Sequence, residues 1–166
     1  MTELGTDPLT LGHVAITLIA IASGLYVLVA LLASRLPVRS NQVFLLFTFL
    51  TSATGFFFHQ AGAQPTPAQI IGGVSLLLLA VALYALYGRK LAGGWRTAFV
   101  VTAVIGLYLN VFVLVIQTFI KVPALHALAP GNPPSGPVFG AVQGAVLLAF
   151  LAAGWLAVKR YHPAPV

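Results

Sequence analysis

The sequence predicts an all-α fold: an integral membrane bundle of five transmembrane helices, N-terminus outside and C-terminus cytoplasmic. Three observations lead there. Of 166 residues, 60% are hydrophobic and 6% charged, with a mean hydropathy of +1.02, whereas soluble domains carry about 25% charged residues. Five apolar runs cover roughly 11–33, 42–58, 68–87, 97–120 and 137–158, each near or above the ~17–25 residues that a helix needs to cross a bilayer. The cations alternate sides. Arg35 and Arg39 follow the first run, Arg89, Lys90 and Arg96 follow the third, and Lys159 and Arg160 follow the fifth. Lys121 is the one cation on the other side. Lys and Arg are retained on the cytoplasmic side during insertion, which sets the orientation. No polar linker divides the chain, so residues 1–166 read as a single transmembrane helical domain.

Each element has its own signals. Asp7-Pro8 opens the first helix, proline being tolerated in a first turn, and the helix ends near Ser34 before Arg35-Leu36-Pro37. The second begins near Asn41 and carries a polar patch, Thr48, Thr51, Ser52 and Thr54, ahead of Gly55 and Phe56-Phe57-Phe58. The third opens at Pro67 and closes at Tyr87-Gly88, where glycine suits a C-cap. Trp95 and Arg96 mark the inner interface before the fourth. The 4–5 connection, Lys121 to Gly136, is expected to hold no helix through Ala129–Pro134, where three of six residues are proline. The start of the chain, Met1 to Leu11, contains Glu3 and Asp7 but no cation, so it is not expected to be a secretory signal.

Composition narrows the chemistry. There is no cysteine, which excludes disulfides, thiolate metal sites and thiol redox catalysis. The sequence pI near 10.2 comes from short juxtamembrane loops, so membrane insertion accounts for it and no nucleic acid partner is implied. Glu3 and Asp7 are the only acidic residues and lie outside the runs, so the bundle offers neither paired carboxylates nor a proton relay. No nucleophile elbow or phosphate-cradling glycine loop occurs.

Intramembrane polar residues are the candidates that remain. Asn110, Gln117 and Lys121 fall within about 20° of one face of the fourth helix. Amides at that depth face the bundle interior, either in interhelical hydrogen bonds worth about 0.6 kcal/mol each or lining a pocket. His13, His59 and His126 share the outer level with Gln60, Gln64, Gln117, Lys121 and Gln143. Depth alone permits a haem b ligated by His13 and His59, a zinc or copper ion on the three histidines, or a pocket for a quinone or lipid headgroup formed by Asn110, Gln117, Lys121 and Gln143. Ordinary interfacial placement of the same residues is the plain alternative. Gly136, Gly140 and Gly144 recur every fourth residue, a helix-packing ridge for an internal helix, a second copy or another protein.

The stretch Leu107-Tyr108-Leu109-Asn110-Val111-Phe112-Val113-Leu114, then Gln117, Phe119, Lys121-Val122-Pro123-Ala124-Leu125 and Ala127-Leu128-Ala129-Pro130, resembles a group of small uncharacterised bacterial polytopic membrane proteins. Thr51–Phe56, Tyr84–Arg89, Leu91-Ala92-Gly93 and Trp95-Arg96 are similar to the same group. In size and hydropathy the chain also resembles DoxX-like proteins, small helical bundles associated with respiratory or redox complexes. The resemblance implies a multi-pass protein of the bacterial inner membrane and carries no activity with it. The expected role is non-enzymatic, as an accessory or structural subunit that meets lipid and other membrane subunits or itself. The alternatives are a small redox or lipophile-binding protein and a facilitator.

Overall fold

The computed structural model describes residues 8–58, 64 and 66–162, and among them every regular element is helical. Five helices are long and apolar enough to cross a membrane. These are α1 (Pro8–Leu32), α2 (Val38–Gly55, with a 3₁₀ turn Phe56–Phe58), α3 (Pro67–Leu83, continued by a π turn Tyr84–Gly88), α4 (Trp95–Lys121) and α6 (Pro137–Arg160). The remaining helix, α5 (Pro123–Leu128), lies in the 4–5 connection. Helices satisfy their own backbone groups, which is what an apolar run must do in lipid. At 25 residues, α1 is about 37 Å long, enough for a hydrocarbon layer of about 30 Å.

Proline sets most of the starts. Pro67, Pro123 and Pro137 each sit in a first turn, where the missing N–H has no helical acceptor to lose. Thr66 and Gln69 complete a capping box ahead of α3: the Thr66 amide donates to Gln69 Oε1 at 2.8 Å and the Gln69 amide to Thr66 Oγ1 at 3.3 Å.

Two local expectations need correction. α2 starts at Val38 rather than near Asn41, because extended Pro37 already presents a carbonyl to the Asn41 amide at 2.9 Å. The 4–5 connection holds no helix through Ala129–Pro134, as expected, and the short α5 forms ahead of that stretch. Gly88 is no left-handed cap. It ends the π turn, and a Cβ there would lie 2.8 Å from the Tyr84 ring. The reversal is made by Lys90 (φ 48°), Leu91 (φ 59°) and Gly93 (φ 54°). Tyr84 meets Trp95 edge-on at 5.0 Å, and the Arg89 guanidinium lies 5.7 Å over the same indole.

Helices α1 to α4 form a ring, each packed on its sequence neighbour and α4 closing on α1, while α6 lies outside against α4 and α1. Close packing is concentrated at one end. Val27, Leu31, Phe44, Leu79, Phe99, Val100 and Leu107 form the buried cluster with Ala157 and Tyr161, all toward the ends that carry the Arg/Lys-rich turns. That end is also tied by polar contacts. Arg96 donates to the carbonyls of Val158 and Tyr161, and Ser34 exchanges hydrogen bonds with the His162 backbone, receiving from its amide at 2.9 Å. Burial pushes the Tyr161 phenol above its ordinary range and outweighs the opposing pull of the Arg96 guanidinium, so the ring stays neutral.

Candidate functional site

The opposite end of the ring is loosely filled and encloses a cavity of about 120 Å³. Each wall is one helical face, as residues three and four apart must be. His13, Val14, Thr17 and Leu18 come from α1, and Thr51, Ser52 and Gly55 from α2. Ala68, Gln69, Ile71, Gly72 and Ser75 come from α3, and Leu109, Asn110, Val113, Leu114 and Gln117 from α4. None of these lining residues carries a formal charge at neutral pH, since His13 is the only titratable one and no Asp, Glu, Lys or Arg is present.

Its polar groups lie at two levels. At the outer level, His13 Nδ1 is 2.8 Å from Thr54 Oγ1. The Thr54 hydroxyl spends its proton on the Leu50 carbonyl at 2.7 Å, so Nδ1 carries the imidazole proton and Nε2 is left as an acceptor. The imidazole also stands edge-on to Phe58 at 5.2 Å. Thr17 donates to the His13 carbonyl at 2.8 Å and accepts from Thr51 at 3.3 Å. Gln117 lies at this level with its amide unpartnered among the described residues. At the deeper level, Asn110 donates to Thr48 at 3.3 Å. Ser75, 2% exposed, lies there too, whereas Ser52, 5% exposed, follows Thr51 on α2 and stands nearer the outer level; neither hydroxyl has a hydrogen-bond partner among the described residues. Gln117 and Asn110 are seven residues apart, a rise of about 10 Å.

Below Ser75 and Thr48 there is only a void of about 10 Å³, at the limit for one water, and then the close-packed cluster. Among the described residues the cavity is therefore a blind pocket. Val14 and Leu18 line it and are also 41% and 48% exposed, so it opens on the lateral surface of α1.

The predicted residues separate. His13, Asn110 and Gln117 converge on the cavity. Lys121, one turn beyond Gln117, is exposed and outside the lining. Gln143 is also outside: it is buried between α6 and α4, donates to the Phe112 carbonyl at 3.1 Å, and leaves Oε1 without a partner. His126 is exposed on α5. His59, with Gln60, lies outside the described residues. No three His, Asp or Glu side chains among the described residues group as a metal site. A Cβ at Gly136, Gly140 or Gly144 would meet no described atom within 4 Å, so this ridge holds no internal helix at close approach.

Sequence reasoning missed Thr17, Gln69 and Ser75, and treated Thr51 and Ser52 only as part of a patch. A usable signal exists in α3, where Gln69, Gly72 and Ser75 recur every third residue on one face of an otherwise apolar helix. Comparison of the chain with protein-family models, with curated proteins and with solved structures gave no match.

Proposed function

We propose that this protein is a non-enzymatic, lipophile-binding bundle of the bacterial inner membrane, akin to the small polytopic proteins its sequence resembles. The observation that carries this reading is the uncharged blind cavity with the unpartnered Ser75 hydroxyl at its base and that of Ser52 on its wall. A molecule that meets those cavity-facing hydroxyls gains hydrogen bonds worth about 0.5–1.5 kcal/mol each and is bound preferentially. Apolar walls and a lateral opening suit a ligand that arrives from the bilayer. Protein purified in gentle detergent is expected to retain an extractable lipophile, identified by mass spectrometry. Gln117→Leu should release it without loss of folding, whereas Lys121→Ala should not. Retention by Gln117→Leu at the wild-type level would count against the cavity.

The orientation belongs to the same proposal and rests on the alternating cations. Because the chain lacks cysteine, single cysteines report sidedness directly. In intact cells an impermeant maleimide is expected to label Ala127→Cys and not Lys90→Cys. The reverse pattern would invert the topology.

A second reading, an accessory subunit of a larger assembly, is favoured by α6. Only 6% of its most apolar stretch is buried, against 44% for α1, and a Cβ at Gly140 or Gly144, or at Gly136 just before it, would meet no described atom within 4 Å. Stoichiometric membrane proteins accompanying the same gentle-detergent preparation would support it, and a solitary protein would remove it.

A further inference from the structure

Building on the lipophile-binding reading, we infer that the ligand is a para-quinone and its quinol, held by both oxygens. Size is the first argument. An apolar cavity of ~150 Å³ takes one benzene, so about 120 Å³ holds no more than a single six-membered ring, and any tail runs out past Val14 and Leu18. Charge is the second. A phosphate head would need cations, and Lys121, the one cation on this side, is outside the lining.

Spacing is the third argument. Two oxygens across one ring, each with a hydrogen bond of about 2.8 Å, separate the groups that hold them by roughly 10–11 Å. Gln117 and Asn110 differ in level by about that amount. Each end also offers both polarities. At the outer end the Gln117 amide can donate and His13 Nε2 can accept. At the inner end the Ser75 hydroxyl donates, and the Asn110 carbonyl accepts. Carbonyl oxygens and phenolic hydroxyls are therefore both accommodated, so the site takes the oxidised and the reduced ring.

The test is equilibrium binding to the full-length protein in nanodiscs. The probes are a radiolabelled decyl para-benzoquinone, its dithionite-reduced quinol, and decyl-bearing phenol, benzene and phosphate. Quinone and quinol are expected to bind within about threefold of each other. The phenol, short of one hydrogen bond, should bind about tenfold more weakly. Gln117→Leu and Ser75→Ala should each weaken quinone binding about tenfold, with unfolding midpoints recorded to show that both variants fold. Phenol binding as tightly as quinone would overturn the two-ended ring while leaving a lipophile pocket in place. Preference for the phosphate would overturn the uncharged head. If no probe binds and the purified protein retains no lipophile, both this inference and the reading beneath it fall.

Discussion

Gly24→Leu is expected to destabilise the bundle by about 3 kcal/mol, the largest loss of stability anticipated for a single change. Gly24 is buried where α1 crosses α2 and α4. A Cβ there would lie 2.6 Å from Leu107 Cδ1 and 2.8 Å from two carbons of the Phe44 ring. Either side chain could swing clear if it had room, but Leu107 is 1% and Phe44 2% exposed, both within the buried cluster. The helices must separate instead, giving up the van der Waals contact that holds a bundle together where lipid supplies no hydrophobic drive. Unfolding in mixed micelles checks this, with Gly73→Leu as the matched control, because a Cβ at Gly73 meets nothing within 4 Å. Equal midpoints for the two variants would show that the α1 crossing is not close-packed.

Gly72→Leu is expected to have the opposite character: folding preserved and ligand retention lowered at least about a hundredfold, since a filled site forfeits most of its contacts. Gly72 lines the cavity on α3, and a Cβ there sits 3.5 Å from the Ser52 carbonyl oxygen and 3.8 Å from the Phe56 ring, ordinary contacts. The three further carbons of leucine then enter the cavity. Replacing glycine inside a helix also gains up to about 1 kcal/mol of propensity, so the midpoint should hold or rise. Lipophile extraction and thermal unfolding on one preparation separate the two effects. Undiminished retention in a folded Gly72→Leu protein would place the ligand elsewhere.

The two glycines show what a one-dimensional reading can reach. Both are glycines in apolar helices, and nothing in the local sequence tells Gly24, which a side chain would break, from Gly72, which a side chain would plug. The five long helices were legible because length, apolarity and proline position are properties of the chain alone, and a backbone in lipid must satisfy itself within each segment. Depth was legible for the same reason. A fixed rise of about 1.5 Å per residue puts His13 and Gln117 near one end of the ring and Asn110 farther in, and those three do line the cavity. Which residues face one another depends on how each helix is rotated against its neighbours, and only packing decides that. Lys121 shares a helical face with Gln117, yet one more turn carries it past the rim. Gln143 shares the outer level, yet α6 packs outside the ring and turns that amide onto the Phe112 carbonyl. Ser75 and Thr17, from segments far apart in the chain, reach the same cavity because α3 and α1 stand across the ring from each other. The inner end could close because Phe44, Phe99 and Leu107 interlock there. Toward the other end Thr17, Ser52, Gly55, Ala68, Gly72 and Ser75 stand among the aliphatic side chains, and the space these small residues leave is the candidate site.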